Sequence, residues 1–129
     1  MLPRVFFAVA LAALAVPVPS AGAMPSTDAD VLGELHEIGQ FETTVGAIAE
    51  HRGAESSVRR FGRLLRRDYG LTQGDVSRLS GGFGFAYVPP PPPGRVAEDA
   101  RLLGAIRAAE GADLDRRLLA TTLAVESGA

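Results

Sequence analysis

The chain has 129 residues, no cysteine and a formal charge of -2, which suits one small domain without disulfides or thiolate metal sites. The near-neutral charge gives no general attraction to nucleic acid, so we expect no nucleic-acid partner. All 13 basic side chains are arginine. Lysine Schiff-base chemistry and a lysine-containing phosphate loop are therefore excluded.

Residues 1–23 have the order of a secretory signal peptide. A short start containing Arg4 precedes an unbroken apolar run over residues 5–16, two prolines and a small-residue cleavage site ending at Ala23. A helix of this length spans about 18 Å, less than the roughly 30 Å hydrocarbon core of a bilayer. We predict cleavage after Ala23 and export of residues 24–129 to the periplasm or the medium. No stable membrane anchor is expected after cleavage.

Two amphipathic helices are predicted next along the chain. The first opens after helix-capping residues at 26–30 and ends at Gly53. Its apolar stripe advances by alternating steps of four and three residues: Val31, Leu35, Ile38, Glu42, Val45 and Ala49. The second helix ends in a glycine cluster at 81–84, and its stripe has similar spacing: Val58, Phe61, Leu65, Asp68, Thr72, Val76 and Leu79.

A run of five prolines at residues 89–93, closed by Gly94, follows the second helix. Such a run is not expected in a helix and favours an extended polyproline conformation. We interpret residues 89–94 as a stiff linker without apolar burial; the alternative is a docking ligand for an aromatic groove. Beyond it the apolar pattern predicts a third helix of about 30 residues, with a kink near Gly111.

Two carboxylates, Glu42 and Asp68, fall on the apolar stripes of the first two helices. A carboxylate removed from water must be paired, hydrogen-bonded or metal-bound. The two acids could face each other as metal ligands. The interpretation we favour places them at the stripe edge, paired with Arg63, Arg66 or Arg67, or with water.

Other catalytic and metal-binding patterns are missing from the sequence. A carboxylate-bridged di-iron bundle needs Glu-x-x-His pairs, and neither His36 nor His51 has a glutamate three residues before it. A surface or capping role is expected for both histidines. No Gly-x-Ser-x-Gly motif and no cofactor motif occur. We therefore predict no cofactor and no enzymatic activity.

Several features, in order and spacing, resemble the DUF4142 family of exported bacterial proteins. They run from the first predicted helix to the third: Glu42, Gly46, Ala49, Val58, Arg59, Phe61, Asp68 and the Asp115-Arg116 pair. The resemblance implies a ferritin-like four-helix bundle without a defined activity. Many members of the family are described as membrane or outer-membrane proteins.

The chain departs from the family pattern at its histidines. Tyr69 stands where a histidine usually follows the acid of the second helix, and Glu126 stands where a second histidine is expected. The chain also ends at Ala129, where the family continues with a further helix. We therefore expect an all-α, antiparallel, ferritin-like bundle with three main helices and the fourth missing.

The sequence thus predicts an exported, non-catalytic bundle with a structural or interaction role and an unidentified protein partner. The alternative function is a weak carboxylate metal site formed by Glu42, Asp68 and Glu126. Without a fourth helix, one groove of the bundle would stay open, and a homodimer would cover it. Four residues are expected to line that groove: Val45, Leu65, Leu103 and Leu118.

Overall fold

The computed structural model describes residues 27–127, with side chains as far as Ala124; the predicted signal peptide lies outside the described residues. All regular elements of the described part are helices, and it contains no strand, as the sequence predicts. It has four helices: α1 (Asp28–Arg52), α2 (Ser56–Gly82), α3 (Pro93–Ala108) and α4 (Gly111–Ser127). The expectation of three main helices is therefore wrong.

The fourth helix arises because the predicted third helix is broken in the middle. Ala109 has an extended backbone with ψ of 155°, and Gly111 has a φ of +57°, which glycine adopts without steric cost. The chain therefore reverses after α3 instead of bending. Its last 17 described residues form α4, which packs beside the others and supplies the wall expected to be missing.

Helices α1 and α2 form an antiparallel hairpin held by direct backbone approach. Thr27 caps α1, because its hydroxyl accepts from the Asp30 amide while the Asp30 carboxylate accepts from the Thr27 amide, both at 3.1 Å. Further along, Gly46 lies against Gly62. A Cβ atom built on Gly62 would stand 2.5 Å from the backbone nitrogen of Glu50, so the crossing has room only for glycine.

The order of the helices follows from contacts at the two ends of the bundle. Glu37 in α1 lies beside Asp99 near the start of α3, and Arg52 at the end of α1 binds the Ala109 carbonyl at the end of α3. Helix α3 therefore runs parallel to α1. Helix α4 begins near the end of α1, because Asp115 close to its start binds the amide of Ala54.

The proline run is partly absorbed into the fold, so its interpretation as a linker without burial is wrong. Pro92 is the N-cap of α3 and Pro93 is its first residue, where a missing N–H costs nothing. Pro89 is buried. Gly33 of α1 lies against the carbonyl groups of Pro89 and Pro90. The connector between α2 and α3 is the segment from Phe83 to Pro92, and it packs on α1.

The core lies between all four helices. Its buried members are Phe41, Val45, Ala49, Val58, Leu65, Ile106, Ala109, Leu114 and Leu118, with Leu103 partly buried against them. The expected open groove is therefore wrong: Val45, Leu65 and Leu118 are buried and Leu103 packs on them. They are covered because α3 and α4 fold back on each other, and residues from both join the α1–α2 hairpin in one core.

Candidate functional site

The two carboxylates on the predicted stripes, Glu42 and Asp68, lie in different environments. Glu42 is completely buried in α1, with none of its surface exposed. Asp68 lies on the exposed side of α2, where its Oδ1 accepts from Arg67 Nε at 2.9 Å. The expected position at the stripe edge, beside an arginine, is confirmed for Asp68, whereas the expected stripe-edge position is wrong for Glu42. Glu126 belongs to α4, but its side chain lies outside the described ones.

The position of Asp68 follows from the true line of burial along α2. The predicted stripe passes from Leu65 to Asp68, whereas the buried line runs from Leu65 through Tyr69 and Gln73 to Val76. Successive residues of this line are mostly four positions apart, close to the 3.6 residues of one helical turn. Asp68, three positions after Leu65, therefore lies to the outer side of the line. Polar residues on the inner face hid this line from a hydrophobicity pattern.

The two histidines do not gather ligands around them. His51 is exposed in the last turn of α1, where a basic group suits the negative end of the helix. His36 lies one turn before Gln40, with 3.4 Å between the two Nε2 atoms. Among the described residues no group of three or more His, Asp or Glu side chains has the geometry to hold a metal ion.

A buried carboxylate of α4, Asp115, binds the turn between α1 and α2. Its two oxygens accept from the backbone amides of Ala54 and Glu55, each at 2.9 Å. Glu55 is the N-cap of α2 and makes no side-chain cap of its own. Asp115 therefore satisfies amides that the turn cannot satisfy internally. The resemblance drew attention to Asp115 but gave no role for it.

Two arginines close the same end of the bundle. Arg52 donates to the carbonyls of Arg107 and Ala109, at 3.2 and 2.8 Å, and so binds the last turn of α3. Arg59 donates to the carbonyls of Gly53 and Ala54 at 2.8 and 2.6 Å. These cations hold unpaired carbonyl groups of the turns. Hydrogen bonds from side chains thus join the end of α1, the start of α2, the end of α3 and the start of α4 at this end of the molecule.

A second polar cluster lies between α1 and α3. Asp99 is 3 % exposed, and its carboxylate accepts from Arg95 Nε at 3.1 Å. The Glu37 carboxyl group lies beside the Asp99 carboxylate across the helix pair. The cluster borders a cavity of about 170 Å³ that Gln40 and Thr44 also line. The spacing of Arg95 and Asp99, one helical turn apart, was the one sequence signal for this cluster.

The acidic pair changes the proton affinity of Glu37. Burial, followed by the charge of Asp99, raises the pKa of the Glu37 carboxyl group above its usual value. Arg95 and His36 oppose this rise because their positive charge favours the ionised carboxylate. The cavity beside the two carboxyl groups is open to solvent on one side, and the raised pKa lets Glu37 keep its proton at a higher pH than an ordinary glutamate does.

The outer face of α2 is a surface that none of the other described helices covers. We define it by six exposed residues that lie on one side of the helix, away from the core: Arg60, Arg63, Leu64, Arg67, Leu71 and Arg78. Leu71 is 68 % exposed and Leu64 is 43 % exposed. Asp75 lies on the same side and binds Arg78. A long helix thus presents leucines and arginines to solvent in alternation.

None of the described helices is both long and apolar enough to cross a membrane.

Comparison with known proteins gives the family and no closer relative. No curated protein and no solved structure matches the chain. One family model matches, described as a domain of unknown function, DUF4142, and it covers residues 13–127. That range contains all four helices and the Asp115 contact. The chain therefore belongs to the DUF4142 family.

Proposed function

We propose that the chain is an exported, non-catalytic helical bundle that binds another molecule through the outer face of α2. One observation carries this proposal: Leu64 and Leu71 are exposed between arginines on a face that no other helix covers. Exposed leucines arranged along one face indicate an interaction surface more often than isolated ones do. This face extends along most of a 27-residue helix, so it offers a long contact area.

The buried charged groups support a non-catalytic function. Asp115 is bound by two backbone amides and Asp99 by Arg95, so each serves the packing of helices. Arg52 and Arg59 bind carbonyl groups of turns. Catalytic acids and bases are usually placed where a substrate can reach them. These four side chains are engaged with the fold itself.

Export is the second part of the proposal, and it rests on the signal pattern of residues 1–23. Mass spectrometry of the protein recovered from the periplasm or medium should find Met24 as its first residue. A matched chain with Arg substituted for Leu11 in the apolar run should stay in the cytoplasm. Recovery of uncleaved native chain from the cytoplasm would contradict export.

Binding through the outer face of α2 can be tested with two matched double variants. Leu64→Ser/Leu71→Ser removes the exposed leucines of α2, and Leu119→Ser/Leu123→Ser removes two similarly exposed leucines of α4. Co-sedimentation with the cell-envelope fraction should fall at least about tenfold for the first variant, because two apolar contacts are lost. It should stay near the native level for the second. Equal binding by all three proteins would overturn the proposed surface.

A homodimer is a narrower form of the same proposal. The residues expected to line its interface, such as Val45 and Leu65, are buried in the core. A second copy would therefore have to use an exposed face such as that of α2. Sedimentation of the native chain at micromolar concentration would detect it, and the Leu64→Ser/Leu71→Ser variant should then be monomeric.

The ferritin-like arrangement implied by the resemblance stays a prediction. Ferritin-like bundles contain one long crossover connection, whereas α2 and α3 are joined by the short connector from Phe83 to Pro92. The alternative function, a weak metal site, gains no support from the separated positions of Glu42 and Asp68.

A further inference from the structure

The charges of the chain are divided unevenly between its first two helices. Helix α2 carries six arginines against two aspartates, a formal charge of +4. Helix α1 carries Arg52 as its single arginine against six carboxylates, a formal charge of -5. The whole chain is at -2. A nearly neutral protein therefore presents one strongly basic helix, which composition alone does not reveal.

The arginines of the outer face are available to an incoming anion. Arg60 has no ion-pair partner among the described residues. The side chains of Arg63, Arg67 and Arg78 are 69, 65 and 77 % exposed, and each takes part in a surface ion pair. Exposed pairs of this kind contribute little stability, so their guanidinium groups can exchange partners at small cost. Guanidinium groups bind phosphate oxygens in pairs of parallel hydrogen bonds.

The leucines on this face are spaced, and two aromatic side chains are exposed in the connector that follows the helix. Leu64 and Leu71 stand two turns apart with arginines between them. Beyond the helix, Phe83 is 57 % exposed and Tyr87 is 87 % exposed. Tyrosine rings of this kind favour the boundary between water and lipid headgroups. An extended row of single apolar groups suits a broad surface better than a protein pocket, which binds clustered side chains.

We propose that the outer face of α2 binds the surface of an anionic phospholipid membrane. The guanidinium groups contact lipid phosphates, and the leucines enter the headgroup layer between them, as in helices that lie in the membrane interface. Charge complementarity selects this partner, since α2 is the basic part of the chain and lipid phosphates are acidic. The inference rests on the proposed function and names the molecule that its surface binds. Binding is peripheral and reversible.

Vesicles of defined lipid test this inference with the purified chain that begins at Met24, because residues 5–16 would bind lipid themselves. Partition is compared between phosphatidylcholine vesicles and vesicles that also contain phosphatidylglycerol. We expect binding to the second kind only, and a strong decrease with added salt, since charge attraction is screened. Arg60→Gln/Arg67→Gln should lower partition about tenfold or more, because each of the two arginines contributes to the attraction by the anionic surface.

A matched variant distinguishes the effect of the outer face of α2 from the effect of net charge. Arg101→Gln/Arg116→Gln removes the same charge from exposed positions on α3 and α4. It should retain near-native partition. Leu71→Ser should weaken binding several-fold. Its control is Leu123→Ser, which replaces a similarly exposed leucine of α4. Circular dichroism checks that each variant is folded. If Arg60→Gln/Arg67→Gln fails to fold, it is replaced by Arg60→Lys/Arg67→Lys, which keeps the charge but loses the paired phosphate contacts.

Three results would overturn the lipid inference: no binding to anionic vesicles, equal binding to both kinds of vesicle, or equal loss in the two arginine double variants. If the native chain binds the cell envelope through Leu64 and Leu71 but binds no vesicle, the proposed function stands and the lipid inference fails. Binding to soluble polyglutamate instead of vesicles would indicate an acidic protein partner. Self-association blocked by Leu64→Ser/Leu71→Ser, without vesicle binding, would indicate a second copy.

Discussion

The carboxylate of Asp115 in α4 accepts a hydrogen bond of 2.9 Å from the backbone amide of Glu55, 60 positions earlier in the chain. Its other oxygen accepts from the amide of Ala54, also at 2.9 Å. The start of α2 is therefore capped from a different helix. This contact joins the last helix of the bundle to the turn of its first hairpin, so it depends on the complete fold.

Replacing Asp115 should cost more stability than its single carboxyl group suggests. Asp115→Ala removes two part-buried hydrogen bonds to a charged acceptor, and we expect the free energy of unfolding to fall by about 2–4 kcal/mol. Asp113→Ala is the control, because Asp113 is exposed and pairs with Arg117 on the surface. It should cost less than about 1 kcal/mol. Urea unfolding measures both, and a loss for Asp115→Ala no larger than that of the control would contradict the cap.

The glycines of α2 should respond to alanine in opposite directions. In Gly62→Ala the new Cβ atom would stand 2.5 Å from the Glu50 nitrogen, and we expect a loss of at least about 2 kcal/mol. Gly70 has open space around it on the same helix. Gly70→Ala should stabilise the chain by about 0.5–1 kcal/mol, since alanine favours helix. Thermal unfolding of the two variants decides this, and a stable Gly62→Ala protein would show that the helices are farther apart.

The sequence predicted the helices and their main inner faces because apolar periodicity is a local property. Leu65, Val45 and Leu118 were correctly placed on apolar stripes and do meet in the core. Where the stripe ran through polar residues the prediction drifted, so Val31 and Leu35 are exposed while their neighbour Leu32 is buried. That end of α1 packs against the connector, and the sequence of α1 alone does not predict this contact.

The break after α3 and the cap at Asp115 could not be predicted for a different reason. Gly111 was read as a kink, but whether a glycine bends a helix or reverses the chain depends on what the following residues can pack against. The same holds for Asp115, whose partners are far away in sequence. Glu37 and Asp99 likewise become neighbours only when α3 lies along α1. Long-range contacts thus decided the helix count and the polar clusters.

The first proline of the run should matter more than the second. Pro89 is buried, whereas Pro90 is exposed. Pro89→Ser removes apolar surface from the contact with α1 and should lower the free energy of unfolding by about 1–2 kcal/mol. Pro90→Ser should cost about 0.5 kcal/mol, through the greater freedom of the unfolded chain. Equal small losses in urea unfolding would restore the interpretation of the run as a simple linker.

The native chain should hold no transition metal tightly. Asp68 is bound to Arg67 at the surface, away from buried Glu42, and Tyr69 occupies the position where the family pattern has a histidine. Carboxylates alone bind iron or zinc weakly when they are few and not fixed together. Elemental analysis after dialysis against a mild chelator should find less than stoichiometric metal. Iron or zinc retained at one ion per chain, and lost in Glu42→Gln, would revive the metal-binding alternative.

Glu37 should make the stability of the α1–α3 contact depend on pH. Burial and the Asp99 carboxylate raise its pKa above the ordinary value of 4.5, so the folded chain binds this proton more tightly than the unfolded chain does. The resulting stabilisation is complete below that ordinary value and is lost as the pH rises through the higher pKa of the folded state. Arg95 and His36 face the same group and reduce the effect without reversing it.

Glu37→Gln isolates this effect, because glutamine keeps a hydrogen-bond donor towards Asp99 at every pH. The free energy of unfolding of the variant, relative to the native chain, should therefore increase as the pH rises from about 4 to about 7. Glu34→Gln removes one exposed negative charge from the same helix and is the control for net charge. Urea unfolding at intervals across this range gives the three curves. If the two variants follow parallel curves, the charge of α1 as a whole is responsible, and the raised pKa of Glu37 is not.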